Sequence, residues 1–410
     1  MAIKSNSRKS SAKPAAVKRA SGSNWTAVEA LTGAQAMAHA MRQINPDVVA
    51  AYPITPQTPI MEQFSQFVAD GDVDTEFIRV ESEHSALSAV IGASAAGARA
   101  MTATSSVGLA LMFEVVNVAS GLRLPIVMGV ANRALSAPIN IHSDHSDSMA
   151  CRDAGWVQFY SENAQEVYEN ALLALKIAES ENIPVMVMQD GFITSHAVEN
   201  VRLLKDSVVK KYVGSYKPSQ SLFFNKNPLT VGALELFDYF FETKRQQEEA
   251  MNNVYRDFNK ICKELSAITG NSYAAVEPYR LRNAEAAVVV LNSTAGTTKV
   301  VVDNLRKKGL KVGMLKIRLF RPFPHKEVLN ALKKVKSIAV LDRSMSFGSN
   351  APIYSEVMNS LYDSDKKPRI SSYVFGLGGR AIFEKDIENV FFDLLKQKNQ
   401  NKVQYIGLRK

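Results

Sequence analysis

Four short segments carry residues whose types and placing suit chemistry. The first is Ala51-Tyr-Pro-Ile-Thr-Pro-Gln-Thr-Pro59, where three prolines stiffen a loop directly after an apolar run. Proline fixes its own φ and restricts the residue before it. Thr55 is thereby held extended just ahead of a helix, where a rigid hydroxyl suits a carboxylate ligand. The plainer alternative is that Thr55 only caps the helix that follows. The second segment is Arg79-Val-Glu-Ser-Glu-His-Ser-Ala86, which leads into a small-residue helix. Such a helix lets neighbours approach closely and would bury Glu83, and buried carboxyls hold protons more readily than exposed ones. Alternatively, Glu81 and Glu83 simply complement the helix dipole. In Val130-Ala-Asn-Arg-Ala134, Arg133 ends an apolar strand. A guanidinium there is costly to bury unless it meets an anion, either a bound carboxylate or an internal partner such as Glu81 or Asp153. The fourth, His142-Ser-Asp-His-Ser-Asp147, offers few ligands at poor spacing for a metal and reads as a hydrogen-bonded loop lining a pocket or a subunit contact.

The elements that position these segments alternate. Helices are predicted over Ala27–Gln43, Pro56–Asp70, Ser82–Ala98, Gly108–Ser120 and Ala164–Ser180. Strands are predicted over Val48–Tyr52, Glu76–Val80, Arg99–Thr104, Leu124–Ala131 and Pro184–Gln189. That alternation implies a buried parallel sheet, with ligands at the carboxyl ends of its strands. The rhythm fails from Asp206 to about Leu281, where Met251, Val254, Phe258, Ile261 and Leu265 form one apolar stripe on a helix over Arg245–Leu265. It resumes near Ala284 as a smaller α/β unit. The division is a basic tail at 1–24, a first domain at 25–225, a connector at 226–283 and a second domain at 284–410.

At 410 residues the chain is too long for one ordinary core, and 22% charged with 46% apolar residues is normal for a globular protein. Of its net charge of +9, six positive charges fall in the acid-free tail (Lys4, Arg8, Lys9, Lys13, Lys18, Arg19), which reads as a disordered, solvated segment faintly like a transit peptide. The rest carries +3; the tail could touch nucleic acid or an acidic partner, but a solvated tail is the expectation, and nucleic acid is not an expected partner. No apolar run reaches the roughly 18 residues that cross a bilayer, and no secretory signal is seen. Two cysteines, Cys151 and Cys262, exclude a disulfide framework and an iron–sulfur cluster held by this chain alone, and a reducing cytoplasm is the simplest compartment. There is no GxGxxG after the first strand, no Walker loop and no GxSxG elbow. Gly376-Leu-Gly-Gly379 and Asp190-Gly191 read as turns.

Together these segments resemble the α subunits of the 2-oxoacid:ferredoxin oxidoreductase family, the pyruvate (pyruvate synthase) branch above all. The resemblance runs from about residue 27 to 395 through AYPITPQTP, VESEHSALSAVIGASAAGARAMTATSSVGLALM, LPIVMGVANRALSAP, the DHSD and RDAGW stretch, PVMVMQDGFITSH, KIRLFRPFP, LDRSMSFGSNAPIYSEV and FGLGGR. It implies a transketolase-like pyrimidine-binding domain followed by a transketolase C-terminal-like domain. It also implies thiamine diphosphate as cofactor, shared with a β subunit whose GDG…N motif, absent here, holds the diphosphate through Mg2+. Iron–sulfur [4Fe-4S] clusters would lie on γ- and δ-type partners, electrons would pass to ferredoxin, and coenzyme A would be co-substrate. Glu83 matches the family glutamate at N1′ of the aminopyrimidine, Arg133 the arginine that pairs with the substrate carboxylate, and Thr55 the threonine that hydrogen-bonds the oxoacid. Asp144, His145 and Asp147 match a loop near the pocket and receive no role. The implied activity is oxidative decarboxylation of pyruvate with coenzyme A, or its reverse. The alternatives are another 2-oxoacid (branched-chain, aryl or 2-oxoglutarate) or a non-catalytic scaffold subunit.

Overall fold

Thr32 decides where the first helix begins. Its hydroxyl accepts from the Gln35 N–H while the Gln35 side chain accepts from the Thr32 N–H, a reciprocal cap that starts α1 at Gly33–Ile44. The helix predicted from Ala27 therefore starts later, and the preceding residues are strand β1 (Trp25–Thr32). In this computed structural model the described residues are 24–223, 228–364, 366–396 and 403–409. The basic tail lies outside them, apart from Asn24.

The chain continues through β2 (Val48–Ala51), α2 (Thr58–Ala69), β3 (Glu76–Arg79), α3 (Glu83–Ala96) and β4 (Ala100–Thr104). Then come α4 (Ser106–Leu111), α5 (Phe113–Gly121), β5 (Val127–Asn132), α6 (Ser146–Ala150), β6 (Val157–Tyr160), α7 (Ala164–Glu181) and β7 (Val185–Asp190). The predicted helix over Gly108–Ser120 is thus two helices joined at Met112. Next are β8 (Val198–Leu204), α8 (Asp206–Val213), α9 (Phe240–Thr269) and β9 (Val276–Tyr279). The last part holds β10 (Ala286–Val290), α10 (Thr294–Lys307), β11 (Val312–Ile317), β12 (Leu319–Arg321), α11 (His325–Leu332), β13 (Ser337–Asp342), α12 (Pro352–Leu361), β14 (Arg369–Val374), α13 (Glu384–Leu395) and β15 (Gln404–Tyr405).

These strands form two large sheets and a ribbon. The first sheet has the order β12-β6-β7-β5-β4-β2-β3, parallel except for β12. The second has the order β15-β14-β13-β10-β11-β9, parallel except for β9. β1 and β8 pair antiparallel. Strands β4, β5, β6 and β7 are buried along their whole length, as expected of parallel strands covered on both faces.

Two features join the halves. β12, which follows β11 after one residue, crosses to pair with β6, so a strand from the second α/β unit finishes the first sheet. At that crossing Lys316 is fully buried, and its ammonium lies 2.6 Å from each of Glu162, Glu166 and Glu277. Arg318 adds a 2.7 Å contact to Glu166. Burial opposes the Glu166 charge, yet Arg318 and Lys316 hold its carboxyl down at about 2. These three glutamates are the group of acidic ligands close enough to hold a metal among the described residues, and the Lys316 ammonium fills its centre. The connector helix α9 lays Val254, Phe258, Ile261 and Leu265 into the core of the first sheet beside α7. Each such side chain contributes on the order of 1.5–3 kcal/mol of burial.

Candidate active site

The carboxyl ends of β2, β3, β4 and β5 lie side by side in the first sheet, and Thr55, Glu83 and Arg133 all follow these ends. Glu83 opens α3, after the Ser82 hydroxyl has accepted from the Ser85 N–H. It is 7% exposed, and among the described residues its carboxylate has neither a hydrogen bond nor an ion pair. Glu81, two residues earlier, is exposed and accepts from the Ser85 hydroxyl at 2.5 Å. The seat of Glu83 depends on Gly108 of α4, where a Cβ would stand 2.7 Å from Glu83 Oε1 and 2.7 Å from Thr104 Oγ1. The Thr104 hydroxyl is buried and also without a partner among the described residues. A buried carboxylate with open acceptor sites is unusual, because such groups normally find donors inside the fold.

Arg133 is also buried. Its Nε donates to the Asn140 carbonyl at 2.9 Å and its Nη1 to the Thr55 carbonyl at 2.9 Å. Neither Glu81 nor Asp153 pairs with it; Asp153 lies instead beside Arg152 and Arg321. Thr55 is therefore brought to Arg133, through its carbonyl, while the side chain is exposed. It does not cap the helix. α2 starts at Thr58 behind Gln57, which makes no side-chain cap bond.

Asp147 connects these parts. Its Oδ2 accepts from the Arg133 N–H at 2.9 Å and the Ser106 N–H at 3.0 Å. Its Oδ1 accepts from Asn132 Nδ2 at 2.8 Å and the Ser148 N–H at 2.7 Å. Burial pushes this carboxyl up to about 6, against the pull of those four donors. Asp190, at the end of β7, is a second buried hub. It meets His145 Nε2 at 2.8 Å, Arg343 at 3.0 Å, and the Ser293 hydroxyl. Burial opposes its charge, but Arg343 and His145 outweigh that and hold the carboxyl below the usual range. Asp190 is thus an ionic tie to the second sheet's loops, more than the sharp turn its sequence suggested. The loop holding His142–Asp147 is clamped on the same side, with the Gly379 N–H on the Ser143 carbonyl at 2.7 Å and the Gly378 N–H on Asp144 at 3.1 Å.

Sequence reading singled out Glu83, Arg133 and Thr55, gave Asp147 no role and did not single out Ser106, Gly108 or Arg343. A polar pair, Asn132-Arg133, ending a six-residue buried strand was the one local signal for the Asp147 clamp.

Fold comparison shows a transketolase-like architecture. A 2-oxoglutarate:ferredoxin oxidoreductase from Magnetococcus marinus, with 2-oxoglutarate, coenzyme A and succinyl-CoA bound, superposes with a TM-score of 0.71 at 19% identity, over 90% of this chain and 65% of that longer one. A split-gene transketolase in an inactive β4 tetramer gives 0.55 at 11% identity, over 90% of this chain and 100% of that one. The profile of the pyruvate flavodoxin/ferredoxin oxidoreductase thiamine diphosphate-binding domain matches residues 39–263, and that of pyruvate:ferredoxin oxidoreductase core domain II matches 284–387. The chain belongs to the pyruvate flavodoxin/ferredoxin oxidoreductase family. Among its relatives, pyruvate synthase subunit PorA of Thermotoga maritima is 56% identical over 93% of this chain and 98% of its own. That of Methanocaldococcus jannaschii is 45% identical over the same shares, 93% and 98%. Ketoisovalerate oxidoreductase subunit VorA of Pyrococcus horikoshii is 42% identical over 91% of this chain and 95% of its own.

Proposed function

We propose that this chain is the pyrimidine-side catalytic subunit of a pyruvate:ferredoxin oxidoreductase, with Arg133 holding the oxoacid carboxylate and Glu83 facing the aminopyrimidine of thiamine diphosphate. One observation carries this reading. Arg99, Arg133, Lys316, Arg318 and Arg343 are the buried cations among the described residues, and all except Arg133 meet a carboxylate. A buried guanidinium facing only carbonyls suits an anion from outside, and its planar fork suits a carboxylate. The 56% identity to a pyruvate synthase subunit favours pyruvate over the bulkier acid named for the 42% relative.

The residues present fit thiamine diphosphate on its pyrimidine side. Glu83 offers a buried, unpartnered carboxylate, suited to hold a proton at N1′, and Gly108 leaves the space it needs. When bound, the cofactor would supply nucleophilic and electron-sink chemistry at the ketone carbon of the oxoacid. Arg133 anchors the oxoacid, and the exposed Thr55 hydroxyl donates to it. The completed reaction converts oxoacid, coenzyme A and two oxidised ferredoxins into acyl-CoA, CO2, a proton and two reduced ferredoxins.

The chain supplies half of this site. The flanks of Gly108 carry exposed Val107, Leu111 and Phe113, an apolar rim suited to a β subunit that brings Mg2+ and the diphosphate. Cys151 and Cys262 are buried and unpaired, with thiols pushed up to about 12 by burial. We assign the [4Fe-4S] clusters to γ- and δ-type partners that hand electrons to ferredoxin. Among the described residues no helix is long and apolar enough to cross a membrane, and a cytoplasmic complex is the setting we assign.

The test is Glu83→Gln in the assembled complex. Pyruvate-dependent viologen reduction should fall about 10²–10⁴-fold, the range for loss of a positioned proton-transfer group. Reduction at the wild-type rate would refute the assignment.

A further inference from the structure

We propose that Asp147 is a positioning residue for oxoacid binding, its ionised carboxylate fixing the main chain from which Arg133 projects. This rests on the assignment of Arg133 above. Asp147 is 1% exposed, yet among the described residues it has no ion pair. It accepts four N–H groups, two on each oxygen, from Arg133, Ser106, Asn132 and Ser148. Only a carboxylate can accept on both sides. A protonated acid, or an asparagine, would turn a donor toward one of the two pairs.

The geometry shows what the clamp holds. Arg133 is the first residue beyond β5, with no strand partner of its own. Its N–H is bound by Asp147, and its guanidinium points the other way, to Thr55 and Asn140. Ser106 stands at φ +47°, a left-handed conformation that side chains other than glycine rarely adopt. The same Oδ2 that binds Arg133 N–H binds the Ser106 N–H, and the Ser106 hydroxyl donates to the Ala134 carbonyl at 2.5 Å. The peptide before Arg133 and the peptide after Ala134 are therefore both tied to one strained turn, the first through the carboxylate oxygen that also holds the Ser106 N–H and the second through the Ser106 hydroxyl. Losing either acceptor oxygen removes two of the four N–H contacts at once.

Other titratable groups around Asp147 do not compete for that role. Cys151 and Tyr160 face it, and burial raises both far above neutrality. On its own loop, Asp144 turns to Ser146 and Gly378, and His145 turns to Asp190. With burial pushing the Asp147 carboxyl up to about 6, the clamp is complete above that pH and lost progressively below it.

The experiment uses the assembled complex with pyruvate and viologen. Asp147→Asn should raise the KM for pyruvate about 10- to 100-fold, as expected for hydrogen bonds to a charged group, with kcat changing less than about threefold. In the wild type, 1/KM should fall as pH drops through about 6, and the variant should lack that limb. The wild-type pH profile needs no variant and reads the proposal even if Asp147→Asn fails to fold. A wild-type 1/KM that is flat from pH 7 to 5, or a folded variant with unchanged KM, overturns the proposal. Arg133→Met separates the two claims. If it raises KM and Asp147→Asn does not, the clamp alone is wrong; if neither moves KM, the Arg133 assignment falls first.

Discussion

Lys316 and Arg318 lie where the two large sheets meet, and Arg133 lies at the carboxyl edge of the first sheet. All three are buried cations, but their surroundings differ. At the junction every charge is matched: three glutamates surround Lys316 at 2.6 Å, and Arg318 shares Glu166. At the sheet edge Arg133 meets two carbonyls, and the nearby buried carboxylates are otherwise engaged or withheld. Asp147 binds the Arg133 backbone, and Glu83 has no hydrogen bond or ion pair among the described residues. Taking a cation out of water costs several kcal/mol unless it is matched. The junction meets that cost internally and gains a fixed arrangement of the sheets. The edge leaves a cation and a carboxylate apart, each open to something from outside. Local rules broken in this way mark functional sites.

Reversing each region should have opposite consequences. Lys316→Met removes the cation shared by buried Glu162 and Glu166 and part-exposed Glu277, leaving only Lys299 on Glu162 and Glu277 and Arg318 on Glu166. It should destabilise the chain by about 3–5 kcal/mol, seen as a lower denaturant midpoint. Stability unchanged within about 1 kcal/mol would mean that the junction charges are matched by solvent rather than by Lys316.

A smaller effect is expected at Gly108. Alanine is the better helix former by about 1 kcal/mol, and the added methyl would stand 2.7 Å from Glu83 Oε1, 2.7 Å from Thr104 Oγ1 and 2.9 Å from Glu83 Cγ, so the Glu83 side chain must shift. Gly108→Ala should keep its melting temperature while displacing Glu83, with activity down about tenfold or more, in line with the cost of misplacing a catalytic group. Full activity would show that Glu83 works from another position.

The sequence made one side of this comparison readable. Thr55, Glu83 and Arg133 each follow a strand directly, so the rule that ligands gather at strand ends reached them from local pattern alone. The alternating strands and helices of both α/β units were equally local. What escaped depended on distant pairing. Trp25–Thr32 has helix-like apolar spacing, but it pairs with Val198–Leu204, more than 160 residues on. Tertiary pairing overrode that spacing. Leu319–Arg321 precedes a proline and is only three residues long, yet it completes the first sheet against β6. Asp147 takes its donors from Ser106, Asn132, Arg133 and Ser148, and the Ser106 contact spans 41 residues. Asp190 meets Arg343 and Ser293 from the other unit. No local spacing encodes such meetings.

The contrast between matched and unmatched cations is tested most directly by the KM for pyruvate of Arg133→Met in the assembled complex, measured beside its melting temperature. Removing an unmatched buried charge should leave the melting temperature unchanged or higher, while KM rises by about 100-fold, as for loss of a desolvated charge pair. A KM within about twofold of wild type, or a melting temperature that falls as far as that of Lys316→Met, would contradict it, since Arg133 would then serve the fold and not the substrate.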